Sequence, residues 1–164
     1  MNQIVTLLLV MASFAPFGSA PQSGRGAAAA STPAFHACSI LTKELLTQHT
    51  PLSKRAFDLS FNPSAHEDAV GKSGSECTNG GVTLTIDGFT AEYFEKTRTK
   101  EWKAVSGIGD TAYFRDNGGR FAELYIRTGS HVFTIQMDVP MDRTSESIQP
   151  NAIAMAKEIL PKLK

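Results

Sequence analysis

Neither sign of charge prevails in this sequence: 16 Lys+Arg face 16 Asp+Glu, for a formal net charge of zero at pH 7. A nucleic-acid backbone is held by a cationic surplus, so nucleic acid is not an expected partner. At 20% of residues, charges are too sparse for a disordered acidic or basic tail protein. Cysteine is nearly absent. Cys38 and Cys77 are too few for a four-ligand zinc site without much help from histidine, and no CxxC spacing joins them. No apolar run reaches the roughly 20 residues that a membrane-spanning helix needs. No internal repeat is visible. What is present, 164 residues of which 41% are hydrophobic and 9% aromatic, is ordinary for one globular domain.

The N-terminal end has no Asp, Glu, Lys or Arg before Arg25. Met1 to Phe14 supplies a short apolar core through Ile4, Val5, Leu7, Leu8, Leu9 and Val10, which Pro16 and Gly18 interrupt. Its length fits a secretory signal better than a membrane span. Gly18-Ser19-Ala20 offers small residues at a cleavage point, although Pro21 would follow that cut; Ala27 to Ala30 is the alternative. A buried N-terminal helix of a cytosolic protein is the competing reading. No cysteine lies near the segment, so no lipid anchor is expected. The small, polar, aperiodic stretch that follows is a flexible linker. The expected organisation is a signal peptide over residues 1–20, a linker over 21–34 and a single domain over 35–164.

Within that domain, Ile40, Leu41, Leu45 and Leu46 line one face of a helix predicted over Cys38 to Gln48, with Thr42 as N-cap and Glu44 in the first turn. Phe57, Leu59 and Phe61 alternate, which leaves Lys54 to Phe61 open to an edge-strand reading. The Pro, Gly and Ser content of Asn62 to Gly74 predicts loop. Strands at Ser75 to Thr78 and Val82 to Ile86 flank Asn79-Gly80, a hairpin signal. A helical period covers Thr90 to Thr99. Alternation then predicts strands at Thr111 to Arg115, Phe121 to Arg127 and His131 to Val139. Their short connectors force antiparallel neighbours. Ile148, Ala152, Met155, Ile159 and Leu163 form the apolar stripe of a final helix over Ser147 to Leu160, with Pro150 in its first turn. The class is α+β: an antiparallel meander with N-terminal, inserted and C-terminal helices packed on it.

Catalytic signatures are missing. Gly71-Lys72-Ser73 lacks the earlier glycine of a phosphate loop, His66 standing there. The adjacent His66, Glu67 and Asp68 do not have the spacing that converges on one ion. His36, His49 and His131 are scattered, and His131 reads as an exposed turn histidine. Glu123 and Asp138 sit opposite apolar rows, with no spacing that marks a glycosidase pair. Gly107-Ile108-Gly109-Asp110 is a tight turn in which Asp110 caps backbone amides. No catalytic residue, cofactor or metal site is expected.

If the chain is exported, its even pair of thiols meets an oxidising compartment and Cys38 bridges Cys77. The loop closed is 39 residues long, for which chain entropy predicts roughly 4 kcal/mol. Two buried free thiols are the alternative.

Several segments together resemble a family. Ala37-Cys38-Ser39-Ile40-Leu41-Thr42, Cys77 at the opening of a hairpin, Val105-Ser106-Gly107-Ile108-Gly109-Asp110-Thr111-Ala112-Tyr113 and the Ala-rich final helix are similar to LpqN-like lipoproteins and their small exported bacterial relatives. The resemblance spans most of Phe35 to Lys164. It implies a PsbP-like fold, an antiparallel sheet with helices packed on it, and supports the Cys38–Cys77 disulfide; it implies no catalytic residues. The chain differs in lacking a lipobox cysteine, in having Leu45 where a capping-box acid stands, and in having Thr78-Asn79 where an aromatic follows the second cysteine.

The function expected from these readings is a non-enzymatic exported module, periplasmic or extracellular, that binds an envelope or extracellular partner and keeps no stable membrane anchor. The polar sheet side carrying Thr83, Thr85, Tyr125 and Arg127 is the candidate face, unless the aromatic helix covers it. A small secreted hydrolase built from folded-together Asp, Glu and His residues is one alternative; a structural envelope or stress protein is the other.

Overall fold

A computed structural model describes residues 35–163, so the expected signal segment and linker lie outside the described residues. The chain order is α1 (Ala37–Ile40), α2 (Lys43–His49), α3 (Lys54–Ser60), β1 (Glu67–Val70), β2 (Gly74–Asn79), β3 (Val82–Ile86), α4 (Ala91–Thr97), β4 (Lys103–Val105), β5 (Thr111–Asn117), β6 (Phe121–Thr128), β7 (His131–Asp138) and α5 (Ser145–Ile159), closed by a 3-10 turn at Leu160–Leu163. The strands form one seven-stranded sheet in the order β1-β2-β3-β7-β6-β5-β4, every neighbour antiparallel. Two local meanders compose it, β1 to β3 and β4 to β7, joined side by side along β3 and β7. No helix among the described residues is long and apolar enough to cross a membrane.

Period-2 alternation sends Leu84, Ile86, Phe114, Leu124, Ile135 and Met137 to one face, all nearly or fully buried. The stripe of α5 lies on β5, β6 and β7, and α1 packs on β2 and β3. Ile148, Ala152, Met155 and Ile159 are completely buried there and Leu163 almost so. Burying each large aliphatic chain contributes about 1.5–3 kcal/mol, so a charge at Ile148 would detach the helix. Cys38 and Cys77 stand at disulfide distance, 2.07 Å between sulfurs, tying α1 to β2.

Local chemistry explains where the elements depart from expectation. The predicted first helix is interrupted at Leu41, and Thr42 then caps α2 by accepting from the Leu45 amide at 3.3 Å. Lys54 to Phe61 is a helix, not an edge strand: Ser53 caps it, Phe57 and Phe61 meet at 5.4 Å as i,i+4 neighbours, and Leu59 points to solvent. Part of the predicted loop is β1, which pairs with the free side of β2. The hairpin turns at Gly80-Gly81, both at positive φ, and not at Asn79-Gly80. Asn79 stays in the strand, where its amide accepts from Asn62 N–H at 2.8 Å and donates to Asn62 C=O at 2.9 Å. β4 was not expected; three residues pair with β5 at the sheet edge. Finally, α5 begins two residues early, capped by Thr144. Pro150 therefore sits in its second turn, where it withholds the N–H that the Glu146 carbonyl would accept.

Candidate functional site

The opposite face of the sheet carries the polar half of the alternation. Strand register sets its side chains in cross-strand rows. One row runs Glu76, Thr85, Thr134, Tyr125, Tyr113, and the next runs Thr78, Thr83, Gln136, Glu123, Arg115. Nearest neighbours in such rows are close enough for side chains to interact directly. Thr78 and Thr83 share a hydrogen bond at 2.9 Å, and the Thr85 hydroxyl donates to Glu76 Oε2 at 2.7 Å.

The β5–β6–β7 end of this face is roofed. Thr90 caps α4 through the Tyr93 amide, and α4 lowers Phe94 onto Tyr125 and Val132, with Phe89, Ala91, Trp102 and Tyr113 around them. Trp102 stacks on Tyr125 with ring centroids 4.2 Å apart. The Arg115 guanidinium lies 5.5 Å from both ring centroids, inside cation–π range. Beneath it Glu123, only 5% exposed, is charge-paired with Arg115, whose Nε donates to Oε2 at 2.6 Å. The Tyr125 hydroxyl donates to the same oxygen at 3.1 Å, and Asn117 Nδ2 donates to Oε1 at 3.3 Å. Burial first, and the Glu123 charge second, push the Tyr125 phenol well above its ordinary value. Tyr125 is therefore a neutral donor at any physiological pH.

Beyond the roof the face is open. A groove of about 430 Å³ has Thr78, Thr83, Thr85, Thr134, Gln136 and Glu123 in its floor. Glu76, Val70, Phe89 and Tyr125 flank them. The Thr134 hydroxyl oxygen is buried without a hydrogen-bond partner. Unmade bonds at buried hydroxyls cost about 1–3 kcal/mol, so each calls for a reason.

A second cleft lies on the other side of Phe89, lined by Ser73, Asp87, Thr90, Ser130 and His131 among others. His131 Nδ1 is 2.7 Å from Asp87 Oδ2, while Asp87 Oδ1 accepts the Val132 amide at 3.0 Å. Asp87 is held at φ 51°, the left-handed region that non-glycine residues seldom occupy. The Phe35 ring meets His131 edge-on at 5.0 Å.

Of the four face residues expected from sequence, Thr83, Thr85 and Tyr125 line the groove. Arg127 does not: it sits beside α4, 3.8 Å from Glu95, with its Nη2 donating to Thr111. The aromatic helix covers one half of the face and leaves the other open. His131 is not a free turn histidine, since Asp87 orients it. Glu67 is directed away from its sequence neighbours, accepting from Cys38 N–H at 3.1 Å and meeting His36 at 2.7 Å; no metal-holding cluster occurs among the described residues. Asp110 accepts from Gly129 N–H, in the neighbouring turn and not its own. Sequence reasoning missed Glu76, Phe89 and Gln136 as companions, because only strand register and the loop before α4 bring them together. The β3–β7 pairing between distant segments carries that information.

Comparison with known proteins returned no match: no family model, curated protein or solved structure aligns with the chain at a significant level.

Proposed function

We propose that this chain is an exported, non-enzymatic binding or accessory module of the cell envelope or its exterior, with the open groove on the outer sheet face as its binding site. The observation that carries the reading is the half-roofed face itself. A sheet side that served only solubility would be solvated throughout, whereas this one has a packed aromatic roof, an ion pair beneath it, and beside it a concave polar floor. A paired Cys38–Cys77 suits an oxidising compartment. The antiparallel sheet with helices packed on its inner face supports kinship with PsbP-like accessory domains, a likeness at the level of architecture.

The test is native mass spectrometry of the protein after incubation with a small-molecule extract of cell envelopes, for the native chain and for Thr85→Trp, which fills the floor. An adduct lost in the variant is the expected result; an adduct retained by it would place binding elsewhere. Intact mass of the exported product, with and without reductant, reads the mature N-terminus and the thiol state. An uncleaved Met1 with two free thiols would overturn export.

One observation favours a second reading, a small hydrolase: His131 is oriented by Asp87 in a cleft that also holds Ser73 and Ser130. Against it, Asp87 Oδ1 also accepts the Val132 amide, which gives the carboxylate a structural task at the sheet end. Hydrolysis of p-nitrophenyl acetate that His131→Ala abolishes would establish that reading, and equal rates for the two proteins would remove it.

A further inference from the structure

Resting on the groove as the binding site, we infer the chemistry of its ligand: a neutral, hydroxyl-rich ring with an apolar face, the chemistry of a pyranose segment of a glycan. Charge comes first. No lysine, arginine or histidine is among the described residues lining the groove, whereas Glu76 and Glu123 are. An anion would meet the Glu76 carboxylate, with no cation among the lining residues and with Arg115 already paired to Glu123. A cation would have Glu76 alone, whose Oε2 already accepts the Thr85 hydroxyl. Glu123 is already neutralised by Arg115, and that guanidinium lies over Trp102 and Tyr125 at the roofed end. An ammonium group seeking those rings would approach a fixed positive charge. A neutral ligand remains.

Hydrogen-bonding capacity narrows it further. The floor offers four threonine hydroxyls beside the Gln136 amide and the Glu76 carboxylate; Thr85 spends its O–H on Glu76, Thr78 and Thr83 share one bond between them, and all four oxygens keep a lone pair to accept with. Sugar hydroxyls, which both give and accept, suit such a set. Thr134 stands in the middle of its row, between Thr85 and Tyr125, with its hydroxyl unpaired. A turn about its Cα–Cβ bond would be needed to bring that buried oxygen to an occupant of the groove.

Shape supplies the last element. Phe89 bounds the groove, and its ring meets that of Tyr93 at 5.7 Å. Tyr93 is 56% exposed, a large aromatic left in water on α4. Phe89 and Tyr93 together extend the polar floor into an apolar shelf. A pyranose has that division: C–H groups on its faces for the shelf, hydroxyls at its edge for the threonines.

The experiment is an amide chemical-shift titration of the disulfide-intact protein with maltohexaose, cellohexaose, laminarihexaose and chitohexaose, with spermine and a galacturonate oligomer as charged controls. Fluorescence of Trp102, the single tryptophan of the chain, gives an independent reading beside the groove. A neutral hexaose is expected to shift Thr85, Thr134 and Gln136. Phe89→Ala and Gln136→Leu, each checked for an unchanged far-UV spectrum, are expected to weaken binding about tenfold. Groove shifts with spermine or galacturonate alone would overturn the ligand class and leave the groove as the site. Shifts with a neutral hexaose confined to other surfaces would overturn both. Silence from all four neutral sugars would overturn the ligand class.

Discussion

Replacing Arg115 with leucine tests whether one ion pair holds the aromatic roof in place. Glu123 is nearly inaccessible, with its side chain 7% exposed, whereas the Arg115 side chain is 29% exposed. Removing one partner of a buried pair costs about 3–5 kcal/mol, because the remaining charge is stranded; the partial exposure of Arg115 places this case near 3. Loss of the guanidinium over Trp102 and Tyr125 adds about 0.5–1 kcal/mol. The expected loss is therefore about 3–4 kcal/mol, a fall in Tm of about 10 °C for a domain of this size. Urea unfolding followed by far-UV circular dichroism measures it as a lower midpoint at constant m. Trp102 emission should shift to the red as water reaches the stack. The double variant Arg115→Leu with Glu123→Leu leaves no stranded charge and should recover at least half of the loss. A single-variant loss below about 1 kcal/mol, or a double variant no better than the two singles combined, would refute the assignment of the roof to this pair.

Replacing both Cys38 and Cys77 by alanine should lower stability by about 2–4 kcal/mol, read as a shift in the urea midpoint; an unchanged midpoint would mean the sulfurs are not bonded. Gly109 has φ 56°, and a Cβ there would lie 2.5 Å from the Arg127 carbonyl oxygen. Gly109→Ala should therefore destabilise by about 2 kcal/mol or more, whereas Gly118→Ala, with open space around it, should show the smaller cost of its positive φ alone. A hydrogen bond from the Ser145 hydroxyl, and then one from the Gly119 amide, hold the Asp116 carboxyl below its ordinary value. A depressed carboxyl stabilises the fold above its unfolded-state pKa, and that contribution is lost as pH falls through the folded-state value. The stability gap between the native chain and Asp116→Asn should thus be open near neutrality and close in acid; a gap constant with pH would exclude the linkage.

The parts of the fold that sequence made legible are those whose partners are close along the chain. The alternation of Phe121 to Arg127 and His131 to Val139, and the stripe from Ile148 to Leu163, carry their own periodicity and sorted correctly onto inner and outer faces. Thr42 is legible as a cap and acts as one, whereas Thr90, expected as the first residue of its helix, is the cap instead. What failed to show depends on distant pairing. Glu67 to Val70 has little intrinsic strand preference and is a strand because β2 has a free side for it. Asn79-Gly80 is a good turn signal in isolation, but the buried exchange with Asn62 keeps Asn79 in the ladder and moves the turn one residue on. The site was half visible for the same reason. Thr83, Thr85 and Tyr125 share a parity that periodicity reveals, whereas their union with Gln136 and Glu76 follows from β3 lying against β7.

That junction has a consequence for how the molecule responds to an occupant. Glu76, Thr78, Thr83 and Thr85 come from the first meander, and Glu123, Tyr125, Thr134 and Gln136 from the second, so the groove straddles the line where the two are stitched together. The sulfur bridge lies wholly within the first half and gives that line no covalent help. A bound molecule would act as a clasp across it, resisting separation of the halves and raising the protein's resistance to unfolding with the logarithm of its concentration above Kd.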